Sequence, residues 1–147
     1  MAPIFTKRLQ KEFKDLKTNP PPGVKLQETD SLSLWLIDIT PPADCLYSNT
    51  FTIKVSFSKD YPLDSPEVIF LSPVPIHPHI YQNGHICLSI LYDHWTPALT
   101  VSSVCLSLQS MLASCTEKVL PKDNDSYLAS GVKSPKDSGW IFHDDDI

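Results

Sequence analysis

The sequence lacks several features, and each absence narrows what the chain can be. Its 147 residues contain no apolar run of about eighteen or more, so we expect no transmembrane helix and no membrane partner. The N-terminus lacks the continuous apolar segment that a signal peptide needs. The net charge is −5, which argues against a nucleic-acid partner. The cysteines include no close-spaced pair, so we expect reduced thiols in the cytosol, the nucleus or both: Cys45, Cys87, Cys105 and Cys115.

The first regular pattern is an amphipathic helix over residues 4–17. Its other faces are basic, although the chain as a whole is acidic. A charged helix face is usually only a solvated face, but this contrast also fits a surface that attracts an acidic partner. The apolar residues recur at helical spacing and form one stripe: Phe5, Leu9, Phe13 and Leu16.

Four short segments then carry the pattern of strands, joined by short connections that favour an antiparallel meander. The clearest is residues 50–58, in which apolar and polar residues alternate. A second helix is predicted over residues 101–114, with Thr100 as its N-cap and Cys105 as core filler on its apolar stripe. The four predicted strands are 25–28, 33–39, 50–58 and 67–71.

The apolar periodicity typical of helices and strands is no longer visible after residue 118. The remaining segment is rich in loop-forming residues and ends in an acidic stretch. Trp140, Ile141 and Phe142 are three consecutive large apolar residues near its end, and the sequence does not show where they pack. We therefore divide the chain into a core over residues 1–118 and an irregular, acidic C-terminal tail over residues 119–147.

A rigid loop over residues 75–91 presents a single cysteine. Asn83 and Gly84 form a strong turn signal, and prolines stiffen the approach to it. Cys87 follows this turn. It can be a nucleophile, a buried hydrophobe or a metal ligand, since four of the five histidines lie nearby. Zinc sites usually show two short-spaced ligand pairs, and no second pair occurs here, so we predict no metal.

The loop resembles the active-site signature of the ubiquitin-conjugating enzymes. The segment HPHIYQNGHICLSIL (residues 77–91) matches their H-P-N, N-G and I-C-L elements in order and spacing. WTPA (residues 95–98) is similar to the W-S-P-A that follows in that family, and YPLDSP (residues 61–66) to its Y-P-F-x-x-P. The similarity covers residues 4–116. It implies the α+β fold of that family: an N-terminal helix, a four-stranded antiparallel meander, an active-site loop and a central helix, followed here by the irregular tail.

The chemistry that the resemblance implies is acyl transfer through a thioester. Cys87 would receive ubiquitin from the ubiquitin-activating enzyme and pass it to an amine of a protein substrate, with a RING or U-box ligase. Sulfur suits both steps, because a thiolate attacks well and later leaves easily. No cofactor is implied. No lysine or arginine lies between Lys59 and Lys118, so a near-normal thiol is expected.

Departures from the family pattern point to a subgroup. His79 replaces the usual asparagine, and its imidazole would either donate to a developing oxyanion or brace the loop. Ser89 replaces an acidic residue at the gate position two residues after the cysteine, and Asp123 or Asp125 are candidates for a further acid. Together with the irregular tail, these features resemble the W-type enzymes, which attach ubiquitin to the α-amino group of a protein's N-terminus.

The resemblance also implies two partner surfaces. In the family, the first helix docks on the activating enzyme, and here its basic residues would steer that encounter. A second surface binds RING and U-box ligases. The residues at matching positions are Lys7, Arg8 and Lys11 for the activating enzyme and Leu63, Pro97 and Ala98 for the ligase.

Two other functions remain open at this point. The chain could conjugate a different ubiquitin-like modifier, which the basic helix does not exclude. It could also be a catalytically silent binding variant of the same fold. Such variants characteristically lack the cysteine, whereas Cys87 is present here.

Overall fold

A computed structural model describes residues 3–140, with side chains from Phe5 onwards. The chain begins with helix α1 (Pro3–Thr18). Its apolar stripe packs into the core, where Leu9 and Leu16 are almost fully buried. Three prolines, Pro20–Pro22, begin two residues after the end of the helix and cannot continue it, so the chain turns into the sheet. The predicted helix over residues 4–17 is confirmed.

The sheet contains four antiparallel strands in chain order: β1 (Val24–Leu26), β2 (Leu34–Ile39), β3 (Phe51–Ser56) and β4 (Glu67–Phe70). Buried apolar residues of β3 alternate with half-buried polar ones, as a sheet with one face on the core requires. Trp35 of β2 pairs with Val55 of β3 and is completely buried. The predicted meander is confirmed, with each strand one to three residues shorter than its sequence pattern.

Helix α2 (Val101–Ala113) closes the other side of the core. Thr100 caps it: the Thr100 side chain accepts from the Ser103 backbone N–H, and the Ser103 side chain accepts from the Thr100 N–H. Cys105 is completely buried on this helix, and burial raises the pKa of its thiol to about 12. It is core filler, as predicted.

The segment after residue 118 is mostly loop, but it is not wholly irregular. It contains a six-residue helix, α3 (Asn124–Ala129), and a 3-10 turn (Pro135–Asp137). Elements this short span fewer than two helical turns, so they leave no apolar periodicity to read. Residues 141–147, including Ile141, Phe142 and the acidic end, lie outside the described residues. Among residues 3–140, no helix is both long and apolar enough to cross a membrane.

Candidate active site

The loop after β4 is docked on the sheet. His85 forms a bridge with Ile69 of β4, and the Phe70 N–H donates to the Gly84 carbonyl over 3.0 Å. Gly84 adopts a φ of +90°, and a Cβ there would lie 2.0 Å from the Phe70 carbonyl oxygen. Only glycine fits this approach. The turn predicted at Asn83–Gly84 therefore anchors the segment that leads to Cys87.

His77 braces the loop against helix α2. Its Nε2 lies 3.1 Å from the Met111 carbonyl oxygen and donates to it, while its Nδ1 accepts from the His79 N–H over 2.9 Å. The side chain is almost completely buried, and this burial lowers the pKa of His77 to about 4. The imidazole is therefore neutral near pH 7, which is the state that its two hydrogen bonds require.

His79 supports Cys87 directly through the backbone. The Cys87 N–H donates to the His79 carbonyl over 2.9 Å. Both residues are buried, Cys87 to 6% exposure, and both line one cavity of about 570 Å³. This contact uses only the main chain of His79, so the loop-bracing role of its imidazole stays a prediction. Donation from its imidazole to an oxyanion stays a prediction.

An aromatic cluster from the C-terminal segment walls this cavity. Tyr127 of α3 stacks on Tyr81 with ring centroids 4.1 Å apart, and its hydroxyl lies 2.6 Å from His85 Nδ1. Trp140 stacks on Tyr92 at 5.2 Å. Burial lowers the pKa of His85, so its neutral ring accepts from the tyrosine. Our sequence analysis missed this wall, although the aromatic residues of an otherwise polar tail were its signal.

The two candidates for a further acidic residue, Asp123 and Asp125, lie in different surroundings. Asp123 lines the cavity, and its Oδ1 accepts from the Tyr81 hydroxyl over 2.8 Å. Asp125 is exposed on α3, where it accepts a 3.4 Å hydrogen bond from the amide of Asn124. Ser89 is buried at the start of a 3-10 turn and is not among the described side chains that line the cavity. The cavity thus brings together Cys87, His79 and Asp123.

Residues 8–134, which are most of the chain and include Cys87, His79 and Asp123, match the family model described as ubiquitin-conjugating enzyme. The chain belongs to the ubiquitin-conjugating enzyme family. A probable ubiquitin-conjugating enzyme E2 W of Dictyostelium discoideum is 56% identical over 149 residues, which span 100% of both chains. The ubiquitin-conjugating enzyme E2 W of Caenorhabditis elegans is 45% identical over 152 residues, again over 100% of both. These similarities support a W-type enzyme, as predicted.

Solved structures of the family share the fold. The crystal structure of the ubiquitin-conjugating enzyme E2 UbcA1 from Agrocybe aegerita superposes with a TM-score of 0.87 at 39% sequence identity. The match covers 92% of this chain and 100% of that one. The predicted α+β fold of ubiquitin-conjugating enzymes and the predicted transferase activity are therefore confirmed.

The surface predicted to bind a ligase is assembled from two loops of this ubiquitin-conjugating enzyme. Leu63 is 81% exposed at the tip of the turn over residues 61–66. Pro97 and Ala98 are also exposed. Trp95 joins the two loops, because its Nε1 donates to the Pro62 carbonyl over 2.8 Å. The three predicted residues thus lie on loops that are tied together.

Arg8 differs from the two lysines of the basic helix face. Its Nε pairs with Glu12 at 2.6 Å, its Nη1 donates to the Pro97 carbonyl over 2.8 Å, and its Nη2 donates to the Leu99 carbonyl over 2.6 Å. Its guanidinium therefore joins α1 to the loop that carries Pro97. Lys7 and Lys11 are exposed, so the docking prediction for this face rests on them.

Glu12 is the centre of the same network, and sequence analysis did not single it out. Its carboxylate is buried and accepts from Arg8, from the Tyr61 hydroxyl at 2.5 Å and from the Val101 N–H at 2.8 Å. Burial, followed by the Glu12 carboxylate, raises the pKa of Tyr61, which keeps that hydroxyl protonated as a donor. The network links α1, the turn over residues 61–66 and the start of α2.

The histidine-rich composition of the loop has a structural explanation. His77 and His85 are committed to the Met111 carbonyl and the Tyr127 hydroxyl. Within residues 3–140, no three side chains of histidine, cysteine, aspartate or glutamate converge on a point that could hold a metal ion.

Proposed function

We propose that this enzyme carries ubiquitin as a thioester on Cys87 and transfers it to the α-amino group of a protein's N-terminus, together with a RING or U-box ligase. The observation that carries this proposal is the cavity of about 570 Å³ in which Cys87 and His79 lie. It extends along residues 119–123 and 138–140, which provides room for an extended chain end.

The reaction needs two acyl transfers. In the first, the Cys87 thiolate attacks the thioester that joins ubiquitin to the activating enzyme, and the thiol of that enzyme leaves. In the second, a neutral amine attacks the new thioester carbonyl, the bond to Cys87 sulfur breaks, and the amine loses a proton. A tetrahedral oxyanion forms in both steps. His79, the histidine beside Cys87 in the cavity, is the residue to which we assign a hydrogen bond to it.

The amine preference follows from protonation. With a pKa of about 7.8, roughly a third of an α-amine is neutral near pH 7.5, against about a tenth of a per cent of a lysine with a pKa of about 10.4. A lysine therefore needs a base more than an α-amine does. Ser89 offers no carboxylate, and the carboxylate of Asp123 already accepts from Tyr81. This site favours an acceptor that arrives neutral.

One gel tests the thioester. The chain is incubated with activating enzyme, ATP and ubiquitin, and we expect an adduct that reductant removes. Cys87→Ser should give an adduct that survives reductant, because thiols do not cleave an oxygen ester, and Cys87→Ala should give none. Charging of Cys87→Ala, or charging lost only in a Cys45→Ala or Cys115→Ala variant, would overturn the assignment.

The same gel separates the alternatives. If another ubiquitin-like modifier with its own activating enzyme charges Cys87 and ubiquitin does not, the enzyme serves that modifier. If neither does, the chain is a silent binding variant.

The acceptor preference needs a separate assay. Preloaded enzyme is discharged onto a lysine-containing peptide with a free N-terminus and onto its N-acetylated twin. We expect fast discharge only to the free N-terminus, and equal discharge to the twin would refute the preference. In His79→Asn, restored transfer to lysine would assign the selectivity to His79, whereas unchanged selectivity would assign it to Ser89 or the C-terminal segment.

The compartment is part of the proposal. The four cysteines all lie within the described residues, and all four are free thiols. This state is typical of the cytosol and nucleus, to which we assign the enzyme.

A further inference from the structure

The segment over residues 134–140 is fixed to the core at two points beside the turn over residues 61–66. The Ser134 hydroxyl donates to Glu67 Oε2, at the start of β4, over 2.7 Å. Lys136 Nζ lies 2.6 Å from Asp64 Oδ1 and donates to the Ser65 carbonyl, also over 2.6 Å. We call these two anchors the clasp. It attaches the C-terminal segment to the turn that carries Leu63.

The segment held by the clasp continues into the wall of the cavity that contains Cys87. Trp140 Nε1 donates to the Pro135 carbonyl over 2.8 Å, which holds the indole close to the clasped 3-10 turn. The indole also stacks on Tyr92. Three consecutive residues, 138–140, line the cavity together with Cys87. One wall of the cavity therefore depends on contacts made several residues away from it.

Lys136 is the stronger of the two anchors. It is the donor in two short charge-assisted contacts, whereas Ser134 makes one, to the Glu67 carboxylate. Its side chain is 25% exposed, and the Ser65 residue whose carbonyl it binds is buried. Asp64 is more exposed, at 43%, so the ion pair alone is screened by solvent. The contact with the Ser65 carbonyl fixes where the segment lies.

We infer that Lys136 is a positioning residue for the transfer step: it holds residues 138–140 as the wall against which a peptide acceptor binds beside Cys87. This inference rests on the proposed use of Cys87 as the thioester carrier. It does not depend on which amine is preferred. Lys136 touches no reacting atom, so it acts on acceptor binding and leaves the reactivity of the thioester unchanged.

The test uses the full chain and three variants: Lys136→Met, Lys136→Arg and Lys133→Met. Lys133 is an exposed lysine directly before Ser134 and is not one of the two anchors, so its replacement makes the same charge change without removing a contact of the clasp. Each protein is first charged with ubiquitin. The rate of discharge is then measured against the concentration of a peptide that has both a free N-terminus and an internal lysine, and separately with hydroxylamine, a nucleophile too small to need the wall.

We expect Lys136→Met to charge normally, to react normally with hydroxylamine and to show a KM for the peptide raised about fivefold, which is the upper end of the loss expected for a partly exposed charged contact. Lys136→Arg should restore the KM to within about twofold, because arginine keeps the charge and the donors. Lys133→Met should match the parent chain.

Three results would overturn the inference: an unchanged peptide KM in Lys136→Met, a parallel loss with hydroxylamine, or an equal effect in Lys133→Met. If Lys136→Met fails to fold, Lys136→Ala removes the same two contacts without placing a long apolar side chain against Asp64, and an unchanged KM there decides against the inference. Failure of the parent chain to charge would instead refute the proposed function, so the two failures are distinguishable.

Discussion

Replacing Glu12 should destabilise the enzyme more than any other change at a polar residue of α1. Its buried carboxylate is the shared acceptor for Arg8, Tyr61 and the N–H of Val101. Glu12→Ala leaves all three donors without this partner. Two of them belong to segments distant in sequence, so the loss also loosens the turn over residues 61–66 and the start of α2.

The expected magnitude follows from these contacts. Each hydrogen bond to a charged group contributes about 1.5–3 kcal/mol, but bonds that share one acceptor do not add. Breaking a buried ion pair by removing one partner costs about 3–5 kcal/mol. We therefore expect Glu12→Ala to lower the free energy of unfolding by about 4 kcal/mol, which corresponds to a fall in Tm of about 10 °C for a chain of this size.

The assay is urea unfolding followed by tryptophan fluorescence, with the m-value as a check that the unfolded state is unchanged. Asp15→Ala is the matched control, because Asp15 is an exposed carboxylate on the same helix and should cost less than about 0.5 kcal/mol. Tyr61→Phe removes a single donor and should fall between the two. A loss below about 1 kcal/mol in Glu12→Ala would refute this account of the network.

Three further predictions concern charge, ligase binding and pH. Replacing Lys7 and Lys11 by glutamate, with Arg8 kept, should slow charging by the activating enzyme about tenfold at low salt and much less at high salt. Equal charging rates at low salt would show that this helix face is only solvated and binds no partner. Leu63→Ala should lower ligase-stimulated discharge about tenfold while stability stays constant, because the side chain is 81% exposed; a change in discharge without ligase would contradict this. Burial lowers the pKa of His77 from 6.5 to about 4, so the folded chain binds this proton less readily than the unfolded chain. His77 therefore contributes roughly 3 kcal/mol to the free energy of unfolding above pH 6.5, and this contribution is lost as the pH falls towards 4. His77→Gln should lack that part of the pH dependence of urea unfolding, and parallel curves for the two proteins would count against it.

The elements that sequence predicts well here are those with a local cause. The stripe of α1, the alternation of β3 and the capping residue Thr100 are each visible within a few residues, and the structure places all three as expected. The loop over residues 75–91 is also predictable from local sequence, because its turn requires a residue with positive φ and Gly84 provides it.

What sequence did not reveal depends on contacts between distant segments. Glu12 resembles any charged residue on a helix until its donors arrive from 49 and 89 positions away. The wall of the cavity is similar, since Tyr127 meets His85 from 42 positions along the chain. Arg8 shows that the role of a charged residue on a helix face cannot be predicted from charge alone. Besides Glu12, its partners are carbonyls of a loop that has no charge pattern.

The docking of the active-site loop has a consequence for solubility. Strand β4 is an outer strand of the sheet, and an exposed outer strand offers unpaired N–H and carbonyl groups to another chain. Here the bridge from Ile69 to His85 and the bond from Phe70 to Gly84 occupy part of that edge. The opposite edge, β1, is only three residues long. The segment that presents Cys87 thus also protects the sheet from edge-to-edge aggregation, so a variant such as Gly84→Ala should aggregate as well as lose activity.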